Sequence, residues 1–324
     1  MKPLMIEGLD AVLAPVTSDL QRIEEVLKRA SAGPTEFLTE TASYLADAGG
    51  KRVRPAVTAL AARMGDGPNG SVYKSAAAIE MTHLATLYHD DVIDEADLRR
   101  GVMSVNEKWD NHVAILAGDH LFARSSGLVA EVGGEIPLIL ADAVVRVVAG
   151  QLQEVRGTYD LYRTEEHYMS TIAGKTAALL EASARIGALC GSVGDETVGS
   201  MSVFGRSFGF AFQIADDLLD LAATREQLGK PPGTDLLEGV YTLPVIYAMK
   251  EDSAISSLLG TPEVDIDKVK EAVFSTSGFE MALGRAREQH EIACLALDSV
   301  REGEAKDALL KLSETVITRV PDPE

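Results

Sequence analysis

The densest chemistry in the chain sits in two short acidic runs, His89-Asp90-Asp91-Val92-Ile93-Asp94 and Gln213-Ile214-Ala215-Asp216-Asp217-Leu218-Leu219-Asp220. Residues four apart share a helical face, so Asp90 would stand beside Asp94 and Asp216 beside Asp220. Such carboxylates repel by about a few tenths of a kcal/mol on a wet surface and by more in a cleft, unless a cation lies between them. Magnesium suits that place, because it takes a few hard oxygens from protein and the rest from water and substrate phosphates. One such run among 50 acidic residues reads more simply as a solvated face. The second run changes the balance. Its helix is otherwise apolar, with Phe204, Phe208, Phe210, Phe212, Ile214, Leu218 and Leu219, and solvation does not place carboxylates on a buried helix. Asp90, Asp91 and Asp94 are therefore expected to face Asp216, Asp217 and Asp220 across one cavity, as a two-sided magnesium site that grips a diphosphate.

Basic residues stand beside these runs. Arg99-Arg100-Gly101 follows the first, and Lys230 lies in the loop after the second. Gly49-Gly50-Lys51-Arg52-Val53-Arg54-Pro55 sets three cations ahead of a helix N-terminus, itself favourable to anions. His83 lies seven positions before Asp90 on the same predicted helical face. Alone, a histidine there is more often a satisfied core residue.

The elements that must position these groups are helices. Apolar residues recur at three and four positions almost throughout, which predicts an all-α chain. A first helix is expected from Ser18, with Gln21 as capping-box partner, to about Gly33. Others follow at Thr35 to Ala48 and from about Pro55 to before Gly65, then at 71–96, 109–131, 136–158, 165–190 and 195–222. Ala223 to Gly239, rich in glycine, proline and charge, reads as a loop. Three more helices are expected at 239–250, 266–276 and 279–317. No repeat or linker divides the chain, so a single domain over 1–324 is the simplest account, with irregular ends at 1–16 and 319–324.

A length of 324 residues, 46% hydrophobic, permits a large core, and composition alone does not separate one domain from two. The formal charge of −20 argues against a nucleic-acid partner, which calls for a basic face. Cys190 and Cys294 lie far apart in apolar surroundings, pointing to a reducing compartment rather than a disulfide framework or zinc site. Met1 to Asp10 carries no secretory pattern, and no uninterrupted apolar run approaches the ~18 residues of a membrane span. A cytoplasmic location is expected.

Taken in order, GGKRVRP at 49–55, HxxxxxHDDxxD at 83–94, RRG at 99–101, GD at 118–119, GKT at 174–176, FQxxDDxLD at 212–220 and GKPPGTD at 229–235 cover nearly the whole chain. This set resembles the trans-type (head-to-tail) polyprenyl diphosphate synthases of the isoprenoid synthase fold, of medium or long product length. The resemblance implies a homodimer of helical subunits, each surrounding a deep cavity, that joins an allylic prenyl diphosphate to isopentenyl diphosphate. Asp90, Asp94 and Asp216 would hold the allylic diphosphate through Mg2+, with Asp91, Asp217 and Asp220 close by; three ions per site are expected. Arg99, Lys175 and Lys230 would touch its phosphates. Isopentenyl diphosphate would sit on Lys51, Arg54, His83 and Arg100, while Thr176 and Gln213 offer oxygen dipoles to the allylic cation.

Ala85 and Thr86, one turn before Asp90, would line the path of the growing tail. Their small size predicts a product of roughly thirty to fifty carbons; the competing reading is that Ala85 is small for helix packing. A product of that length is poorly soluble, so transient membrane contact is expected at release, without electrostatic anchoring by so acidic a chain. The family's GK-x-TLP segment reads here Gly239-Val240-Tyr241-Thr242-Leu243-Pro244, so one phosphate-binding lysine is replaced by valine. Four other readings compete: a short-chain geranylgeranyl-type synthase, a class I terpene cyclase, an HD-type phosphohydrolase built on His89-Asp90, and a non-catalytic helical scaffold. A cyclase has no use for the second aspartate run or for Lys51, Arg54 and Arg100.

Overall fold

The computed structural model describes residues 8–224, 232–261 and 263–321, and among these the regular structure is helical apart from one two-stranded ribbon. In chain order the main helices are α1 (Thr17–Ser31), α2 (Glu36–Asp47), α3 (Val53–Ala62), α4 (Gly70–Ile93), α5 (Asn111–Val132), α6 (Ile136–Arg156) and α7 (Glu165–Ile172). They continue with α8 (Ala178–Cys190), α9 (Asp195–Ala222), α10 (Leu243–Glu251), α11 (Ile266–Phe274), α12 (Gly278–Ala296) and α13 (Glu304–Thr318). The all-α expectation holds.

Local chemistry sets where several of these begin. The side chains of Thr35, Asn69, Asp110 and Thr164 accept hydrogen bonds from the amides of Leu38, Val72, Val113 and His167 at 2.9–3.2 Å, each cap contributing about 1 kcal/mol. The capping box expected at Ser18 and Gln21 is not formed. A tight turn at Ala14–Val16 runs straight into α1, whose first residue is Thr17, and no side chain caps it. The stretch before residue 17 is also less irregular than expected: Leu9–Val12 is a helical turn, and Leu9, Leu13 and Val16 are buried in the main core.

Two helices carry the aspartate runs. α4 passes through the middle of the protein, packed by α1, α3, α5 and α8; Ala76, Ala77, Ile79, Met81, Leu84, Ala85 and Tyr88 are all fully buried. α9 packs between α8 and α12, with Phe204 and Phe208 stacked at a centroid distance of 5.7 Å. Burying each such side chain contributes about 1.5–3 kcal/mol, so the ends of α4 and α9 are held by a large apolar core. The expected helix at 279–317 is two helices, because the chain turns at Leu297–Gly303 to bury Leu297 and Val300. The run expected as one helix at 165–190 is interrupted by a π-helical turn at Ala173–Ala177.

Candidate active site

The first aspartate run closes α4. Asp94 is exposed and lines a cavity of about 330 Å3, while Asp91 is fully buried, its Oδ1 accepting from Arg99 Nε at 2.5 Å. Burial pushes the Asp90 carboxyl up to about 6, with Lys175 pulling it down and Asp94 pushing it further up. Burial raises Asp94 and Asp91 as well, opposed chiefly by Lys175 and Arg99 respectively. His89 points elsewhere. Its Nε2 lies 3.1 Å from the Ile115 carbonyl, and its ring rests on Gly118, where a Cβ would fall 2.4 Å from Nε2. His89 and Asp90 therefore do not present a joint ligand set, which removes the HD-type reading.

Arg99 reaches Asp91 through a hairpin absent from the sequence-based reading. Leu98–Arg99 pairs antiparallel with Val102–Met103, and Arg100 and Gly101 form the turn with φ of 54° and 78°. Positive φ at both central residues is the condition for a tight hairpin that matches strand twist. For Arg100, a non-glycine, it costs about 1–3 kcal/mol. The Arg100 guanidinium donates to the carbonyls of Leu45 and Gly49, holding the turn against the Gly49-Gly50 loop.

The second run divides in the same way. Asp216 is partly exposed, whereas Asp217 and Asp220 are buried. Asp217 is the hub of a hydrogen-bond chain: Tyr168 Oη donates to its Oδ2 at 2.6 Å and Gln213 Nε2 to its Oδ1 at 2.7 Å, while Thr176 Oγ1 donates to Gln213 Oε1 at 2.5 Å. Burial, only partly opposed by the bonds from Tyr168 and Gln213, raises the Asp217 carboxyl to about 7. The π-helical turn sets Thr176 and Lys175 in place. α6 crosses it so closely that a Cβ at Gly174 would lie 2.4 Å from the Arg146 carbonyl oxygen. Lys175 lines the cavity beside Asp94 and pairs with Glu154; burial works to lower its ammonium, but Glu154, Asp90 and Asp94 outweigh that and keep it above its ordinary value.

Arg54, His83 and Arg100 come together near the buried Glu80, which Arg100 approaches to 3.8 Å, and Lys51 lies on the loop just before Arg54. Burial and then the charges of Arg54 and Arg100 push the His83 imidazole well below its ordinary value, so it is neutral at pH 7. Arg54 Nε is buried without a hydrogen-bond partner. Partial burial lowers Lys51, opposed by the charge of Asp216. Arg52, the third cation of its motif, has a different job: it pairs with Glu24 at 2.9 Å and Glu80 at 3.1 Å and so anchors the loop. Lys230 lies outside the described residues. Ala85 is fully buried in the main core and Thr86 donates its hydroxyl to the His83 carbonyl at 2.7 Å; neither lines the cavity at the aspartates.

With this arrangement in view, similarity to known proteins is decisive. The model of the polyprenyl synthetase family matches residues 35–275. The chain belongs to that family. It is 40% identical over 300 residues to a nonaprenyl diphosphate synthase of Mycobacterium tuberculosis, covering 88% of this chain and 90% of the relative. It is 38% identical over 310 residues to heptaprenyl diphosphate synthase component 2 of Geobacillus stearothermophilus, covering 94% and 97%. A polyprenyl synthase of Caulobacter crescentus, solved with calcium and isoprenyl diphosphate, superposes with a TM-score of 0.91 at 29% identity, covering 99% of this chain and all of that one. The fold is the isoprenoid synthase fold.

For a polyprenyl synthetase, the donor set fits divalent cations bound together with a diphosphate. Asp91 Oδ2 is a buried carboxylate oxygen without a hydrogen-bond partner, and burial strains Asp90 and Asp94 towards protonation, a strain that a cation relieves. Among the described residues no three acidic or imidazole side chains converge on one point. A divalent cation held here would thus take at most two carboxylates at any one point and complete its shell with water and phosphate oxygens.

Several participants were not legible from spacing. Glu154 and Gln151 enter the cavity from the polar end of α6, a signal present as two polar residues three apart. Arg163 comes from the turn before α7 and Tyr168 from α7 itself. Arg319 pairs with Asp216 from 103 positions away and lies over the Phe212 ring at 5.0 Å. It falls in the terminal segment expected to be irregular, and nothing near it in sequence marks it.

Proposed function

We propose that the protein is a magnesium-dependent trans-polyprenyl diphosphate synthase that joins an allylic prenyl diphosphate head-to-tail to isopentenyl diphosphate, repeatedly, to roughly thirty to fifty carbons. One observation carries this reading: Asp90 and Asp94 stand with Lys175 at the cavity, while Arg54 and Arg100 gather with the buried Glu80 near a neutral His83. Acidic and basic half-sites side by side suit two diphosphates, one held through cations and one held directly. Magnesium, with three ions expected, neutralises the allylic diphosphate when bound and so eases its departure from carbon.

The chain's own residues do the rest. Lys175 and Arg99 orient the departing diphosphate, with Lys230 as a further cation. Arg54 presents its unpartnered Nε, with Lys51, His83 and Arg100, to the isopentenyl diphosphate. The Thr176–Gln213–Asp217–Tyr168 chain fixes the Gln213 carboxamide, so oxygen dipoles face the carbon that develops positive charge. Ile93, Val155, Ile172 and Val240 supply the apolar part of the lining, the part that keeps water from that cation. The proton lost as the new double bond forms passes to the released diphosphate.

Subunit association is proposed through α6. By length and composition this helix is apolar enough to cross a membrane, but Leu140, Ala143 and Val147 are buried within the protein while Leu138, Val145 and Leu152 are 73%, 67% and 59% exposed. An exposed stripe on a helix already packed along its other face suits a homodimer interface. Release of a long product suits transient contact with a membrane surface.

The test is incubation with labelled isopentenyl diphosphate, magnesium and allylic primers of several lengths, followed by sizing of products. Repeated five-carbon elongation is expected. No elongation with any primer refutes the synthase reading, and arrest at twenty carbons replaces it with the short-chain one.

A further inference from the structure

Val240 and Thr242 bring the segment after Gly239 into the cavity wall with no cation of its own. Resting on the synthase reading, we infer that Arg163 supplies that cation from a different segment and binds the allylic diphosphate.

Two loops are latched together at this point. Tyr159, in left-handed conformation with φ 58°, donates its amide to the Gly239 carbonyl at 2.8 Å and its hydroxyl to the Leu237 carbonyl at 3.3 Å. Its ring fills the space beside Gly239, where a Cβ would fall 2.6 Å from Tyr159 Cδ1. Asp160 then closes a turn, its Oδ1 accepting from the Tyr162 amide at 2.9 Å and its carbonyl from the Arg163 amide at 3.2 Å. Arg163 emerges from that turn beside Val240. It is 5% exposed, and both residues line the cavity that also holds Asp94, Lys175, Gln213 and Asp217.

The partners of Arg163 leave its charge unspent. Nη1 donates to the Tyr241 carbonyl at a long 3.4 Å, and Cζ lies 5.9 Å from the Tyr168 ring centroid. Among the described residues no carboxylate comes within 4.0 Å of its guanidinium, whereas Lys175, the other cation of the lining, is paired with Glu154. A purely structural arginine so deeply buried is ordinarily paired with an acid. A guanidinium fork with free donors at a cavity wall fits two phosphate oxygens at once. The Val240 side chain can make no such bond, and the Tyr159–Gly239 latch sets Arg163 in the same wall.

Calorimetry with magnesium and inorganic diphosphate tests this on the full-length protein, alongside elongation kinetics with farnesyl diphosphate as primer. Arg163→Met is expected to weaken magnesium-diphosphate binding at least about tenfold and to raise KM for the primer by a similar factor, leaving KM for isopentenyl diphosphate within about twofold. Val240→Lys in that background is expected to restore about tenfold, and to change wild type less than about threefold. Wild-type binding and kinetics in a folded Arg163→Met, or no recovery in the double variant, overturn the assignment. If Arg163→Met does not fold, Arg163→Lys is read instead: binding weaker by about three- to tenfold at an unchanged Tm supports the role, and wild-type binding overturns it. A wild type that elongates no primer and binds no diphosphate overturns both this inference and the synthase reading; elongation by wild type with an indifferent Arg163→Met overturns this inference alone.

Discussion

Removing one hydroxyl, in Tyr168→Phe, probes the hydrogen-bond chain that orients Gln213. Tyr168 is 1% exposed and Asp217 4%, so little solvent reaches the 2.6 Å bond to replace it. The cost depends on the charge of Asp217, whose carboxyl is raised to about 7, first by burial. Above that value the bond runs to a carboxylate, and its loss should cost about 1.5–3 kcal/mol; below it the partner is a neutral acid and the cost falls to about 0.5–1.5 kcal/mol. The sign for the wild type is fixed by the same shift. An acid raised from 3.8 to about 7 binds a proton more readily folded than unfolded, so its contribution to stability is fullest below about pH 4 and is lost as pH rises towards 7. Tyr168→Phe raises the folded value further and steepens that loss. Urea melts of both proteins in chelator at pH 5.5 and 8.5 measure it, with a larger destabilisation expected at pH 8.5. Equal destabilisation at both pH values, or less than about 0.5 kcal/mol at pH 8.5, would refute the view that Tyr168 stabilises an ionised Asp217.

Asp90→Ala and Asp94→Ala should abolish elongation without lowering the melting temperature of the metal-free protein at pH 8, since each removes a carboxylate whose ionised form burial disfavours; circular-dichroism melts with chelator check this, and a fall of more than about 5 °C would indicate a structural role instead. Ala85→Phe, at a fully buried position, should cost about 1–3 kcal/mol by overpacking and shorten the product; chromatography that finds an unchanged product length removes Ala85 from the tail path. Leu152→Asp, at a 59% exposed position on α6, should give a folded monomer by light scattering, and an intact dimer would place the interface elsewhere.

How much of this could be read in advance follows the range of each interaction. The four-residue spacing of Asp90 with Asp94 and the apolar run around Asp216 are local, and helix geometry alone converts them into carboxylates on one face and a buried helix. The sequence therefore determined the helical class, most helix positions, the two acidic walls and the family. Interruptions were less visible: the π-helical turn at Ala173–Ala177 exists because α6 must cross at Gly174, and the break at Leu297–Gly303 because Leu297 and Val300 find burial there. Only the tertiary structure decided how deeply each carboxylate lies. Asp91, Asp217 and Asp220 are buried, Asp90 and Asp216 are half-buried and Asp94 is exposed, a division set by Arg99, Tyr168 and the packing of α9. It also brought Arg319 to Asp216 across 103 residues and Arg163 to Val240 across the Tyr159–Gly239 hydrogen bond. Spacing along a chain fixes neighbours within a helix turn; contacts between distant helices arise only when the core is packed, and the charges that complete this site are of that second kind.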